Sequence, residues 1–419
     1  MNYKRLSVMF LLCASFLLAS ASSYAADRLN LNGRVAPFHN LKNLPLDMNP
    51  NSPRLLAARE EAKAEARGLV TPQALKDASS DGFKAAYTLY VGCINTPAGQ
   101  TLATIQDAVA AALPHTLIEV CPGTYSAGGA GTGITVTTAY IKIEGVLHHS
   151  GAETLTCGSG PDPTDGSFGF ELNASYDSVE YLTIEDCDIG VASLNPSLST
   201  STPTGVRNDA VSGSWFSGDT LSIVSEYGYD FEAKDNKIAV DEYGIASVAG
   251  IKDDITGNTI EGDGGTEEVG ILLALTVSDT VTNNVVTAAA VGLDFGALVG
   301  GGTSEGFNTF ACVEGNHLDG NEIGVAIIDN NTGNTFKKNY ANGNVDFGFG
   351  SDASSGADAV PNAGPNVFRD NHASGNGTDD YLDLTVGYTG TNPNTNSGTA
   401  DYYKGNKGNI ASPPAILFQ

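Results

Sequence analysis

An asparagine followed two residues later by an apolar residue recurs through the middle of this chain, at Asn236, Asn258, Asn284, Asn316, Asn339 and Asn371, in the segments DNKI, GNTI, NNVV, GNHL, KNYA and DNHA. The intervals are 22, 26, 32, 23 and 32 residues. A second element, a glycine opening an apolar strand, recurs at Gly190, Gly228, Gly244, Gly270, Gly292 and Gly324. It follows the asparagine by eight residues in the pairs Asn236 and Gly244, Asn284 and Gly292, and Asn316 and Gly324. A constant offset between two recurring residues means that both belong to one template, repeated with insertions. Strands of successive templates stack about 4.8 Å apart, so each recurring position becomes a column along a cylinder. An asparagine column at a tight bend reads as an internal amide ladder that satisfies backbone groups.

The expected fold is all-β, a right-handed parallel β-helix of nine or ten coils between Ile118 and about Leu384. Its open apolar end needs a cap. Residues 101–113 place Leu102, Ile105, Val109 and Leu113 on one helical face, between a strand over 88–93 and another over 116–126. Cys93 and Cys121 each end one of these strands, so their pairing would pin the cap; Cys157 with Cys187 is the second expected pair, leaving Cys312. The segments TIQDAV (104–109) and EVCPGTY (119–125) resemble the N-terminal part of right-handed parallel β-helix proteins of the pectin-lyase-like superfamily. Enzymes and non-enzymes share that motif, so the resemblance implies architecture first.

The N-terminus carries Lys4 and Arg5, an apolar run from Leu6 to Leu18, and small residues up to Ala25, the grammar of a secretory signal cleaved after Ala25. Residues 26–86 follow as a helical leader, in which Ser52 and Pro53 open a helix that Gly68 stops. The β-helix and its cap are expected over 87–400, and a C-terminal tail over 401–419. With 21 basic and 48 acidic residues the chain carries a net charge of −27. That excess argues against nucleic acid and anionic membrane as partners, and it repels an anionic polysaccharide unless divalent cations bridge the two.

Two residues before the recurring glycine stand Asp188, Glu226, Glu242, Glu268, Ala290 and Glu322, which in one register form an acidic column with a single neutral gap. Three readings stay open. The position is a solvent-facing turn that tolerates acids; or Asp188, Glu226, Glu242 and Glu268 hold calcium; or Glu242 and Glu268, one coil apart, supply the two carboxyls of glycoside chemistry. Tyr227 and Tyr243 follow two of the acids within Glu-Tyr-Gly and are the candidates for stacking on a sugar.

The resemblance implies a secreted or periplasmic protein that interacts with carbohydrate, as a polysaccharide lyase, epimerase or hydrolase in a groove along the solenoid. No complete catalytic set of such families is present. The Asp253-Asp254 and Asp379-Asp380 dyads stand without their companion motifs, and Asp346 to Gly350 falls in step with the coils. The alternative is therefore a non-catalytic β-helix that binds a polysaccharide or cell-surface glycan, requiring no cofactor except calcium for stability. His317 and His372 each follow a ladder asparagine two coils apart, and His148 and His149 lack a third metal ligand.

Overall fold

The computed structural model describes residues 83–412, except 95, 98–99, 129–132, 148–152, 158–166, 195–207, 241, 266–267, 297–307, 328–330, 352–364 and 386–400, together with residues 414 and 417. The signal segment, nearly all of the expected leader, and His148 and His149 lie outside the described residues.

Among the described residues, short parallel strands form three sheets of 13, 10 and 11 strands. The chain visits them in strict rotation. Glu232–Lys234 lies in the first sheet, Lys237–Val240 in the second and Tyr243–Val248 in the third. Asp254–Thr256 then returns to the first sheet and pairs in parallel with Glu232–Lys234. Ten such coils are complete, and Tyr402–Lys404 and Ala411–Ser412 add an eleventh turn to the first and third sheets.

Three-residue strands turn only their central side chain inward. The inner column of the first sheet runs Val281, Val313, Phe336, Phe368 and Tyr403, all buried. In the last coils this column is aromatic: ring centroids lie 4.8 Å apart for Phe336 and Phe368, and 4.7 Å for Phe368 and Tyr403. The second sheet answers with small residues in the same coils, Ala341 and Ala373. In these coils large and small residues thus offset one another and keep the cross-section filled. The third sheet is buried on both faces, and Leu221, Tyr243, Val269, Val291, Ile323 and Phe347 belong to a second apolar cluster outside the main core.

The asparagine ladder is present at the bend between the first and second sheets. Asn284 shows its chemistry. Its Oδ1 accepts the backbone N–H of Asn258 at 2.9 Å and the side-chain amide of Asn258 at 2.9 Å, while its own Nδ2 donates to the carbonyl of Ile255 at 2.8 Å. The residue before each rung has positive φ, as at Gly257, Asn283, Gly315 and Lys338, and this closes the bend in two residues. Asn406 extends the ladder by one rung. Two further ladders run at the other corners. Asn321, Asn344 and Asn376 stack between the second and third sheets, and Asn334, Asn366 and Asp401 between the third and first.

The glycine column is real from Gly244 to Gly348, and its cause is close approach of the next coil. A Cβ on Gly244 would stand 2.5 Å from the carbonyl oxygen of Gly270, and one on Gly324 2.5 Å from that of Gly348. Gly228 is not part of it. Its coil places Ser222 in that column, between Gly190 and Gly244, and Gly228 belongs to the turn that follows.

At the N-terminal end the cap helix covers only Ile105–Ala111, shorter than the periodicity predicts. Thr104 caps it by accepting the backbone N–H of Asp107, Thr101–Leu102 forms a strand instead, and Leu113 is exposed just ahead of Pro114. Ile105, Ala108 and Val109 close the apolar end. Both expected disulfides are formed, Cys93 with Cys121 and Cys157 with Cys187, and Cys312 is free and exposed. Such bonds mark an oxidising compartment.

Candidate functional site

The residue ahead of each third-sheet strand forms a column held by backbone bonds to the next coil. Leu221 N–H donates to the Asp188 carbonyl, Tyr243 to Thr220, Val269 to Glu242, Val291 to Glu268 and Ile323 to Ala290. The column therefore reads Asp188, Thr220, Glu242, Glu268, Ala290, Glu322. Glu242 and Glu268 are neighbours, as their spacing predicts. Glu226 is displaced: it ends the strand Leu221–Glu226 and pairs with Leu194 and Val248, at the opposite end of the strand from Asp188. The four acids expected to hold calcium do not converge, and among the described residues no three His, Cys, Asp or Glu side chains are grouped to hold a metal ion.

Glu268 is 3 % exposed and folds under its own loop. Its Oε1 accepts the Asp263 backbone N–H at 3.2 Å, and Cβ atoms placed on Gly262 or Gly265 would collide with its carboxyl. Loss of solvent, with Asp263 beside it, raises its pKa to about 7. Burial alone lifts Glu226 to about 7. Tyr227 and Tyr243 do not offer sugar-binding faces: both are buried, Tyr243 within the apolar cluster of the third sheet.

A run of exposed rings lies elsewhere, in the outward column of the second sheet that directly follows the asparagine ladder. In register from coil to coil it carries Trp215, Lys237, Thr259, Val285, His317, Tyr340 and His372, with Lys407 bridged to His372. His317 and Tyr340 stack with centroids 4.6 Å apart and planes at 8°, and Tyr340 meets His372 at 5.9 Å. Tyr340 is 40 % exposed and Trp215 52 %.

Across the ladder, the outward column of the first sheet carries Glu314, Lys337, Arg369 and Lys404 in register. Lys337 and Lys338 contact Glu314 at 2.9 and 3.3 Å, and Arg369 contacts Asp370 at 3.2 Å. The lysine ammonium groups hold the Glu314 carboxyl below its ordinary pKa.

These columns escape a motif search yet are legible once the ladder sets the register. The cations stand two residues before a ladder asparagine and the rings one residue after it, so both can be read from Asn316, Asn339, Asn371 and Asn406. His317 and His372 are two coils apart as their sequence positions predict, and Tyr340 fills the gap between them.

Three all-parallel sheets visited in rotation, with a ladder at each corner, decide the architecture, and parallel crossovers of this kind are right-handed. The chain is a right-handed parallel β-helix. A profile of the family described as periplasmic copper-binding protein (NosD) matches residues 169–376 of this β-helix, just under half of the chain. No curated protein matches it. Among solved structures the pectate lyase Pel9A is similar at 15 % identity over 80 % of this chain and 81 % of its own, with a TM-score of 0.48. An alginate lyase from Paenibacillus sp. str. FPU-7 is similar at 14 % identity over 80 % of this chain and 98 % of its own, with a TM-score of 0.40. A lacto-N-biosidase from Eubacterium ramulus is similar at 11 % identity over 77 % and 68 %, with a TM-score of 0.45. Similarity at this level says nothing about chemistry.

The copper in the family description is a test for this β-helix. Copper sites draw on cysteine, methionine and histidine. The chain's three methionines, Met1, Met9 and Met48, lie outside the described residues, His317 and His372 are separated by Tyr340, and no three-ligand group exists among the described residues. The described part of the β-helix does not fit a copper site. No helix among its described residues is long and apolar enough to cross a membrane.

Proposed function

We propose that the protein is an exported carbohydrate-binding β-helix whose ligand lies along the corner between the first and second sheets. One observation carries this reading: three rings, His317, Tyr340 and His372, are presented to solvent on consecutive coils in one column. Apolar surface of this kind is costly to leave open, and a flat ring is the side chain that packs on the apolar face of a pyranose. The signal grammar of residues 1–25 and the two disulfides agree with action outside the cytoplasm. The test is calorimetric titration of the purified chain with a panel of neutral and acidic oligosaccharides. Tyr340→Ala is expected to weaken binding of the preferred sugar about fivefold, the worth of roughly 1 kcal/mol of ring contact. Unchanged affinity in this variant sinks the assignment.

A second reading, glycoside chemistry at Glu242 and Glu268, is favoured by one observation. The two carboxyls stand on adjacent coils, and Glu268, raised to about 7, has the proton affinity of a general acid. Its burial under the 262–265 loop supports a structural role instead. Glu268→Gln separates them: abolished turnover on any substrate of the panel favours the enzyme, and unaltered ligand binding with altered stability favours the binding protein.

A further inference from the structure

We infer that the outward face of the first sheet is a docking surface for a second copy of this chain, turned end over end so that the two solenoids run antiparallel. The inference is independent of any ligand and starts from how charge is laid along that face. One outward column runs in register from Glu119, Glu144 and Glu180 at the N-terminal end to Lys337, Arg369 and Lys404 at the C-terminal end. Lys234 and Glu314 lie between them. From the strand of Glu119 to that of Lys404, the two outward columns of the sheet hold five basic and six acidic side chains. A chain of net charge −27 thus keeps this one face within a single charge of neutral, with its acids and cations sorted to opposite ends.

Such a face complements itself under one rotation. Turned about the solenoid axis, a second copy brings its cations level with those of the first. Turned end over end about an axis along the strands, it keeps each column facing itself and sets the acidic end against the cationic end, a closed two-fold contact. In the register that places Asp254 opposite Thr280, Glu144 faces Lys404, Glu180 faces Arg369 and Lys234 faces Glu314, each twice by symmetry, and no like charges meet in either column. A shift of one coil sets either Asp254 against its own copy or Lys234 against Lys337. Lys234, Glu314 and Arg369 expose 48, 33 and 54 % of their side chains, and Lys404 is exposed. Glu180 is shared with Lys142, 2.8 Å away, so Arg369 meets a carboxyl that is already partly neutralised. Between the charges, Ala210, Ser212, Thr256, Thr282 and Thr335 keep the face low enough for two sheets to approach to about 10 Å. Ten strands at about 4.8 Å make a strip about 48 Å long and roughly 10–16 Å wide, or roughly 500–800 Å² per copy. A standard interface takes about 800 Å² from each partner, so the association should be modest, in the micromolar range. The ring column lies across the bend on the second sheet and stays outside the contact.

The experiment uses a charge swap. Within one chain Glu144 and Lys404 stand nine coils apart, about 43 Å, so neither can answer a change in the other except through a second copy. Sedimentation equilibrium of the purified chain is expected to show monomer and dimer in exchange. Glu144→Lys and Lys404→Glu each place two like-charged contacts in the dimer. Each should weaken it at least about tenfold, and Glu144→Lys/Lys404→Glu should restore it to within about twofold of the parent. Thermal melting checks that each variant folds; where Glu144→Lys melts early, Lys234→Glu, Glu314→Lys and their combination make the same comparison. A parent chain that stays monomeric at about 100 μM, single variants that dimerise as the parent does, or a double variant that stays monomeric overturns the inference.

Discussion

Asp279 accepts the backbone N–H of Asp253 on its Oδ1 at 3.1 Å, the contact that Asn366 makes to the N–H of Asn334 in later coils at 3.2 Å. At the corner between the third and first sheets, aspartate thus stands in for ladder asparagine. Ser247 Oγ lies 2.9 Å from Asp253 Oδ2 and 3.0 Å from Asp279 Oδ2. Its single proton can serve one of them, so the other contact is satisfied by a carboxyl that donates its own proton. Asp209 with Ser193 and Asp401 with Ser351 repeat the pairing of a buried acid with a hydroxyl.

The first prediction follows from that ladder. Burial raises Asp177 to about 8 and holds Asp209, Asp279 and Asp401 well above the carboxylate range. Folded pKa values above the unfolded ones mean that the native state holds protons the unfolded chain releases, so stability is full in acid and is lost as pH rises toward and through about 8. Asp279→Asn keeps the Oδ1 acceptor and removes the ionisable group. Its melting temperature should exceed that of the parent chain by several degrees near pH 8 and match it near pH 4. A parent chain whose melting temperature is flat or rises over this range contradicts the account.

Removing one rung from the amide ladder should be costly. Asn284→Ala deletes an acceptor used twice by Asn258 and donors used by Ile255 and Asn316. The expected loss is about 3 kcal/mol, because buried backbone groups are left without partners. Denaturant unfolding followed by circular dichroism measures it, and a loss below about 1 kcal/mol would show that the ladder is not a stabilising element.

The coils were legible because the same bend keeps a buried asparagine amide in six coils, so residues 236, 258, 284, 316, 339 and 371 stand out even where insertions break the period. The glycine signal was less specific. A glycine after a tyrosine occurs in the third strand at Gly244 and also in the following turn at Gly228, where Tyr227 adopts positive φ. That coincidence put Glu226 into the acid column. Tyr243 was unreadable for another reason: in the third sheet the outward face is covered as well as the inward one. The binding corner carries no motif at all, and only register assembles Lys337, Arg369, Tyr340 and His372 into a surface.

Core packing makes a prediction about size. Ala373 shares its coil with Phe368 and Tyr381, both fully buried. Ala373→Leu adds volume where rings already fill the section and should cost about 1–3 kcal/mol. Phe368→Ala should cost about 3–5 kcal/mol by opening a cavity. Unfolding midpoints of the two variants test this, and a stabilised Ala373→Leu variant would mean that the coil is underfilled.

Glu268 offers a prediction independent of ligand. Its raised pKa of about 7 means that it opposes folding once ionised, with the effect growing as pH rises from the ordinary carboxylate range toward and through that value. Glu268→Gln should melt above the parent chain near pH 8 and close to it near pH 5. A variant that melts lower at both would show that the charged form is held by partners in the fold.

The most direct test of the central claim is hydrogen–deuterium exchange of the full chain with and without the oligosaccharide that binds most tightly in the calorimetric panel. The account predicts new protection in peptides spanning 335–342, 367–374 and 402–407, which hold the strands that carry Lys337, Tyr340, Arg369, His372 and Lys404 and the bridge residue Lys407. Protection confined to peptides around Glu242 and Glu268, with the corner unchanged, would contradict it.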